Sequence, residues 1–177
     1  MRNSKCGIKN AVFRTSLGWV GVAATEQGLC RIVLPKNDKT AALRELGDET
    51  VEAASNPAAA PLLAKAVKLL KRYFSGESLS FDVAFDLRYY TLFQQAVWKA
   101  AQAVPSGETR SYAWIAKRIR NPKAARAVGQ ALGANPIPIF IPCHRVVSST
   151  GTLGGFSGGL GMKKKLLELE THANARH

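Results

Sequence analysis

Short apolar runs separated by turn residues occupy the beginning of the chain. Residues 11–15, 18–25 and 28–34 alternate apolar with polar positions or run apolar, and they are partly β-branched. Turn signals at residues 16–18 and 26–28 divide them. Such alternation with short turns is typical of antiparallel strands joined by hairpins. The pattern therefore predicts a three-stranded antiparallel meander.

Helical periodicity follows the alternation. A helix is predicted near Arg44, and a longer one over residues 58–74, where apolar side chains recur three and four positions apart. Ser75 and Gly76 are expected to end it. Residues 79–87 alternate again, which predicts a strand or an extended linker. This half carries no catalytic constellation, and we interpret it as a scaffold.

The second half of the sequence is predicted to be helical. Thr91 is followed three residues later by Gln94, which is typical of a capping box, and the helix that it opens is expected to reach about Ala103. Ser111 predicts the cap of a short helix that runs to about Ile119.

Another short helix is predicted directly afterwards. Asn121 and Pro122 indicate its start, as an N-cap and a proline at the first helical position, and it is expected to run to about Gly133. Two short helices joined by a tight turn, the second of them basic, are typical of a helix-turn-helix. Any short helical pair can imitate this pattern, so it is weak evidence alone.

Together these elements predict an α/β (α+β) fold in two domains. Residues 1–87 are expected to form a small N-terminal domain, an antiparallel sheet with helices. Residues 88–177 are expected to form a helical C-terminal domain that contains the helix-turn-helix. At 177 residues with 46% apolar side chains, the chain is long enough for two small packed domains.

Positive charge is concentrated in the second half. The net charge is +13; residues 1–88 hold 13 Lys and Arg against 9 Asp and Glu, while residues 89–177 hold 12 against 3. A surface with one sign of charge attracts polyanions and gives salt-sensitive binding through counterion release. On charge alone, a generally basic protein with a solvated surface remains an open alternative.

Cysteine usage and hydropathy indicate the compartment. The three cysteines, Cys6, Cys30 and Cys143, are odd in number and widely spaced, which favours a reducing compartment over a disulfide framework. No signal-peptide pattern opens the sequence, and no stretch is long enough to span a membrane. A cytoplasmic location is expected, associated with the nucleoid if the source is a prokaryote.

Cys143 and His144 are the pair that carries most chemistry. A thiol is a nucleophile only as its thiolate, and a neighbouring base or cation makes that form accessible. Free cysteine is also among the most buried residue types. The pair alone therefore leaves two interpretations open, an activated nucleophile and a core cysteine on an apolar strand.

Four motifs surround this pair in a fixed order. They are residues 121–129 (NPKAARAVG), 133–136 (GANP), 142–147 (PCHRVV) and 156–160 (FSGGL). In this order they resemble the O6-alkylguanine-DNA alkyltransferases, the methylated-DNA–protein-cysteine methyltransferases. The resemblance is close from about residue 91 to residue 170 and loose over the first 85 residues. It implies direct-reversal DNA repair, in which an alkyl group moves irreversibly from O6-alkylguanine, and from O4-alkylthymine, in a flipped-out base to a cysteine.

The resemblance implies catalytic roles for four residues. Cys143 would accept the alkyl group, His144 would take the thiol proton through water, and Glu170 would orient the imidazole. Glu168 is the obvious decoy, but Glu170 matches the family position. Asn135, which unaided is typical of a turn, would bridge the helix-turn-helix to the active-site segment.

By the same resemblance, the second helix of the pair would enter the minor groove of duplex DNA. Small side chains allow close approach in a narrow groove, although close helix packing would favour the same residues. Arg126 would fill the stack that the rotated nucleotide leaves, and Tyr112 would assist the rotation and hydrogen-bond guanine N3. The other predicted DNA contacts are Lys123, Ala125, Ala127, Gly129, Gln130 and Gly133.

The flipped base would be held by a loop and by backbone carbonyls. Ser157 and Gly158 resemble the loop that closes over the base and donates hydrogen bonds to O6. The carbonyl groups of Cys143 and Val146 would accept from the guanine amine. Arg145 is expected to bond to backbone or to an acid, and not to substrate.

The sequence thus predicts a single-turnover methyltransferase whose partner is double-stranded DNA containing O6-alkylguanine. No cofactor is expected, because neither redox change nor phosphoryl transfer occurs. No metal site is expected, since Cys6 and Cys30 have no histidine in their half of the chain. A monomer without membrane association or an obligate protein partner is expected. Two alternatives remain, a non-catalytic helix-turn-helix lesion sensor and a cysteine hydrolase with multiple turnovers.

Overall fold

Two compact units make up the structure. The structure, a computed structural model, describes residues 8–47 and 59–175. One unit comprises the described parts of Met1–Ser75 together with Leu79–Leu87, and the other comprises the described parts of Gly76–Ser78 and Arg88–His177.

The first unit contains the predicted meander. Strands β1 (Lys9–Thr15), β2 (Gly18–Ala24) and β3 (Leu29–Lys36) form an antiparallel sheet in that order. The strands are longer than predicted by one or two residues at some ends, because pairing across the sheet extends beyond the apolar run. The meander prediction is confirmed.

One face of this sheet is covered by a short helix. Helix α1 (Lys39–Leu46) begins after Asp38, whose side chain accepts a hydrogen bond from the backbone N–H of Ala41. Its apolar side packs in a cluster with the sheet, formed by Ala23, Val33, Ala42 and Leu46.

The opposite face is covered by a longer helix. Helix α2 (Ala59–Phe74) packs against the sheet, and its Lys71 ammonium lies 5.8 Å from the centre of the Phe13 ring. Phe13 pairs with Val20 in the register, so both point to the face away from Val33. The helix covers the predicted range, except that residue 58 lies outside the described residues.

Residues 79–87 lie extended beside the start of β3. Leu29 forms two backbone hydrogen bonds with this segment, each 2.8 Å long. Its N–H donates to the carbonyl of Ala84, and its carbonyl accepts from the N–H of Asp86. Gly28 permits the approach, because a Cβ there would lie 2.5 Å from the backbone carbon of Phe85. Of the two predicted alternatives, the extended segment describes it better, since the pairing amounts to a single bridge.

The second unit is mainly helical. Its α3 (Leu92–Gln102) begins with the predicted capping box, in which Thr91 and Gln94 bond each other's backbone, and the side chain of Ser111 caps α4 (Tyr112–Arg118). A two-residue strand before α4 pairs in parallel with one after Cys143. In chain order the elements are α3 (Leu92–Gln102), β4 (Arg110–Ser111), α4 (Tyr112–Arg118), α5 (Ala125–Gly133), a 3₁₀ turn (Cys143–Arg145), β5 (Val146–Val147) and α6 (Gly159–Asn174).

The predicted start of α5 is wrong. Asn121 and Pro122 were expected as its N-cap and first residue, but the helix begins at Ala125, and Ala124 before it has no side chain that caps. Arg120 takes a left-handed φ of 59° and turns the chain, and the N–H of Asn121 then bonds the carbonyl of Ala116 at 2.9 Å. An Asn-Pro pair suits a turn as well as a helix start, and here the turn prevails.

The predicted fold class is confirmed. The chain is a mixed α/β protein with a small antiparallel sheet, followed by a helical part in which α4 and α5 pack together as a helix-turn-helix. Across residues 8–47 and 59–175, no helix combines the length and the apolar character needed to cross a bilayer.

Candidate active site and nucleic-acid interface

The Cys143 thiol is buried behind the end of α5. The side-chain amide of Asn135 donates to Cys143 Sγ at 3.1 Å and to the carbonyl of Ile141 at 2.8 Å, while its oxygen accepts from the N–H of Ile137 at 3.0 Å. Between these contacts Ile139 holds a left-handed φ of 77°, which is rare for a β-branched residue. Asn135 thus ties the residue after the helix-turn-helix to the segment that carries the thiol.

His144 is fully buried, and its imidazole lies against an acid. Its Nε2 is 2.7 Å from Glu170 Oε1, and its Nδ1 has no hydrogen-bond partner among the described residues. Burial lowers the pKa of His144, although the hydrogen bond and charge of Glu170 oppose this. A neutral imidazole that donates Nε2–H to the carboxylate leaves the Nδ1 lone pair free to accept a proton.

The Glu170 carboxylate is held ionised by several donors. Arg145 donates to it from Nε at 2.8 Å and from Nη2 at 2.9 Å, and the N–H of Gly107 donates at 3.2 Å. Burial alone would raise the pKa of this carboxyl group, but the hydrogen bonds and charges of His144 and Arg145 lower it to about 2. Arg145 also donates to the carbonyl of Val104 at 2.7 Å, so its predicted structural role is confirmed.

The thiol is protonated at rest. Burial raises the pKa of Cys143, and the Asn135 hydrogen bond, the charge of Lys163 and the backbone N–H groups of Cys143 and His144 only partly offset it. A thiol in this state needs a base to become a nucleophile. His144 follows Cys143 directly in the chain, and its Nδ1, which has no partner within the described part of the chain, can accept a proton.

Lys163 is a site residue that the sequence analysis missed. It is completely buried on α6, and its ammonium group donates to the carbonyl of Val146 at 2.6 Å, to that of Leu153, and more weakly to that of Gly155 at 3.5 Å. In the sequence it opens a run of three lysines, which is typical of a solvated helix face. The signal that could have found it is its spacing of seven residues from Glu170, on the same helix face.

Tyr112 stands at the first position of α4, half-buried. Its hydroxyl donates to the carbonyl of Gly155 over a long 3.4 Å, and burial followed by the charge of Cys143 raises its pKa. Gly154, with a φ of 64°, must be glycine here, because a Cβ would lie 2.6 Å from the tyrosine hydroxyl. The phenol group therefore remains a proton donor close to the thiol.

The residues expected to hold a base lie around this loop. Ser157 and Gly158 are exposed just before α6. The carbonyl of Cys143 accepts from the N–H of Val146, and that of Val146 accepts from Lys163. A carbonyl oxygen has two lone pairs, so each keeps one for a further donor.

Helix α5 buries one side and leaves the other exposed. Val128, Ala131 and Leu132 are buried, and the indole N–H of Trp98 bonds the carbonyl of Ala131 at 2.8 Å. Arg126, Gln130 and Gly133 are exposed at spacings of four and three residues, which places them on one face. The remaining predicted contacts are Lys123, exposed in the turn, and Ala125, Ala127 and Gly129, each half-buried.

The structure thus brings together the residues predicted for catalysis. Asn135 is hydrogen-bonded to Cys143, and His144 and Arg145 are both hydrogen-bonded to Glu170; the two sets meet where Cys143 and His144 adjoin in the chain. Glu168, the decoy, is exposed and pairs loosely with Lys164 at 3.8 Å.

Known proteins resemble the chain over most of its length. Residues 92–172 match the family model described as 6-O-methylguanine DNA methyltransferase, DNA binding domain, and residues 8–87 match that family's ribonuclease-like domain. The methylated-DNA–protein-cysteine methyltransferase of Methanosarcina acetivorans is 42% identical over 160 residues, which are 90% of this chain and 96% of that protein.

Mycobacterial proteins are also similar. The Mycobacterium tuberculosis protein of the same name is 57% identical over 105 residues, 59% of this chain, and the match spans 63% of that relative's length. The crystal structure of Mycobacterium tuberculosis OGT in complex with DNA superposes with a TM-score of 0.74 at 40% identity, covering 93% of each chain. On this evidence the chain belongs to the 6-O-methylguanine DNA methyltransferase family.

Proposed function

We propose that this protein repairs alkylated DNA by moving the alkyl group from O6 of a guanine to Sγ of Cys143. The observation that carries the proposal is the cluster of a buried thiol, a neighbouring imidazole with a free Nδ1, and an ionised Glu170 behind that imidazole. Membership of the methyltransferase family supports the same reaction.

The chemical step is a displacement at a saturated carbon. His144 Nδ1 takes the proton of the Cys143 thiol through a water molecule, and the thiolate attacks the alkyl carbon. The new S–C bond forms as the C–O6 bond breaks, and the electron pair passes to the guanine. Tyr112 donates a proton to guanine N3, and the proton taken from the thiol passes from the imidazole to the resulting tyrosinate, so the products are guanine, a thioether and neutral Tyr112 and His144 side chains.

The step ends the protein's activity. A thioether has no easy route to hydrolysis, so each chain acts once. Glu170 orients His144 and stabilises the imidazolium that forms, in the way that an acid supports the histidine of a catalytic triad. Asn135 stabilises the thiolate, because its amide N–H already points at the sulfur.

Access to O6 requires the nucleotide to leave the duplex. Extrusion costs a few kcal/mol of stacking and pairing. In the proposal, α5 approaches the minor groove with its exposed face, and the planar guanidinium group of Arg126 replaces the lost stacking. Lys123 contributes phosphate attraction, and Ala125, Ala127, Gly129, Gln130 and Gly133 complete the contact.

The base is then bound by the loop and the adjacent backbone. Ser157 and Gly158 donate to O6, and the carbonyl groups of Cys143 and Val146 accept from the amine. The exposure of Ser157 and Gly158 supports the first assignment, and the lone pair that each of the two carbonyl groups keeps supports the second.

The partner in this proposal is double-stranded DNA with O6-alkylguanine, and O4-alkylthymine is a further substrate. The protein acts as a monomer in the cytoplasm, or on the nucleoid of a prokaryote, without a cofactor, a metal or an obligate protein partner. These parts remain predictions.

The test follows the DNA. A duplex with one O6-methylguanine is mixed with increasing amounts of protein, digested to nucleosides and quantified. We expect one O6-methylguanine to become guanine for each chain added, and none with Cys143→Ala. Tight binding without any restored guanine would replace the proposal with the lesion sensor, and repeated turnover would replace it with a multiple-turnover enzyme.

A further inference from the structure

Lys163 is a charged side chain buried on a helix face whose other buried residues are two apolar ones and Glu170. It has no exposed surface, and Leu166 and Ala173 are buried on the same helix face. Burial lowers its pKa. Removing a charge from water is costly unless hydrogen bonds replace the solvent. The buried amine therefore indicates a role that a methionine of similar length would not fill.

Its acceptors belong to two separate stretches of chain. Val146 comes three residues after the nucleophile, whereas Leu153 and Gly155 belong to the loop that leads to Ser157. A lysine ammonium has three hydrogens to donate, and three carbonyl groups receive them here. The Lys163 side chain thus connects the 153–155 loop, by hydrogen bonds, to the segment that carries the thiol.

Tyr112 is hydrogen-bonded to the same loop. Its hydroxyl bonds the Gly155 carbonyl, which also receives the weaker Lys163 contact. The proposed proton donor and the buried lysine therefore both donate to this one carbonyl group. Moving the loop would displace the tyrosine and Ser157 relative to the sulfur.

We propose that Lys163 is a positioning residue for alkyl transfer, whose ammonium group fixes the 153–155 loop against the Cys143 segment and so sets where Tyr112 and Ser157 meet the flipped base. The inference rests on the proposed function. It concerns the geometry after the base has arrived, and not the attraction of DNA.

The first test compares two lysines on one helix. Lys163→Met removes the buried ammonium group, and Lys165→Met removes an exposed one two residues away with the same change in charge. Single-turnover transfer is measured over a range of concentrations of methylated duplex. We expect the maximal rate of Lys163→Met to fall about tenfold or more, as when a preorganised donor is lost, with the half-saturating concentration within about twofold of Lys165→Met.

A second readout is the pH at which the thiol becomes reactive. The groups that act on the sulfur are Lys163 from α6, Tyr112 from α4, Asn135 after α5, and the backbone N–H groups of Cys143 and His144. Of these, Lys163 holds a positive charge that lowers the pKa of Cys143. Alkylation of Cys143 by iodoacetamide, mapped by peptide mass, should therefore shift to higher pH in Lys163→Met and not in Lys165→Met.

The outcomes separate the inference from the function. If the unaltered chain transfers no methyl group, the proposed function fails. If it does, and Lys163→Met matches Lys165→Met in maximal rate, the inference is overturned. Lys163→Arg, which keeps the charge, should recover part of the rate.

A measurement on the unaltered chain covers the case in which Lys163→Met does not fold. Nitrogen-15 spectra of lysine side chains should show one ammonium group with slow hydrogen exchange and with coupling across hydrogen bonds to the carbonyl carbons of Val146 and Leu153. A Lys163 ammonium group that exchanges as fast as those of Lys164 and Lys165 would contradict these hydrogen bonds directly.

Discussion

The imidazole of His144 and the carboxylate of Glu170 meet at 2.7 Å although 26 positions separate them in the sequence. Both side chains are buried, and the carboxylate is shared with Arg145. The imidazole is thereby fixed in one orientation, with Nε2 toward the acid and Nδ1 directed elsewhere. An acid that positions a base in this way must remain ionised, and its low pKa ensures that it does.

Stability should depend on Glu170 above its pKa. The folded-state pKa of about 2 lies below the ordinary value, so its ionisation stabilises the folded state above about pH 4.5, and this contribution is lost as the pH falls towards 2. Glu170→Gln leaves a buried arginine uncompensated, and we expect it to lower the free energy of unfolding by about 3–5 kcal/mol at pH 7.

Urea denaturation at pH 7 and at pH 3 measures this dependence. The difference between the unaltered chain and Glu170→Gln should shrink at the lower pH. The exposed Glu168→Gln serves as the control and should change little at either pH. An equal difference for Glu170→Gln at both values would contradict the assigned ionisation.

Asn135 should control both thiol reactivity and local stability. Asn135→Ala removes the donor to Cys143 Sγ and leaves the Ile137 N–H without its acceptor, while the Ile141 carbonyl keeps only the N–H of Cys143; the loss should cost about 1–3 kcal/mol. The pKa of the thiol should rise, because the Asn135 hydrogen bond lowers it. Iodoacetamide alkylation of Cys143 against pH, together with thermal unfolding, measures the two effects.

An isosteric variant separates the donor from the shape. Asn135→Asp keeps an acceptor for Ile137 but replaces the donor by a negative charge. Its thiol should therefore be less reactive at neutral pH than that of Asn135→Ala. A thiol as reactive as in the unaltered protein in both variants would show that Asn135 has no influence on the sulfur.

Arg126 and Lys123 should differ in what they contribute to DNA repair. Arg126→Ala should slow methyl transfer from duplex DNA much more than from single-stranded DNA, because only a duplex leaves a gap in a base-pair stack. Lys123→Ala should weaken binding to both kinds of DNA and reduce the slope of log affinity against log salt concentration by about one. Equal losses on both kinds of DNA for Arg126→Ala would assign it to phosphate contact instead.

A larger side chain at Gly133 tests whether the exposed face of α5 approaches DNA closely. A Cβ at this position meets nothing within 4 Å, so Gly133→Leu should leave the fold intact. If the face enters a narrow groove, the added side chain should lower the affinity for duplex DNA about tenfold or more. Gly161→Leu, on α6 and equally free of neighbours, is the matched control. Equal affinities for the two variants, measured by fluorescence anisotropy, would contradict the groove assignment.

Local patterns predicted the regular elements well and one junction badly. Thr91 and Ser111 cap helices as expected, because capping depends on a few adjacent residues. The helix start predicted at Asn121 was wrong, because an Asn-Pro pair is equally typical of a turn. The left-handed conformation of Arg120 places a turn there.

Contacts between distant residues were harder to predict. Choosing Glu170 over Glu168 required the family resemblance, since both are glutamates on the same helix, and their burial differs only through packing. Lys163 was not predicted as a site residue, because a run of lysines indicates a solvated surface. Its burial depends on carbonyl groups up to 17 positions away, which no local pattern reveals.

The most direct measurement is the intact mass of the protein after reaction with a duplex that carries one O6-methylguanine. Alkyl transfer to Cys143 predicts a gain equal to one CH2 group, limited to a single event per chain, located on Cys143 by peptide mapping and absent from Cys143→Ala. An unchanged mass while the protein remains bound to the methylated duplex would contradict it.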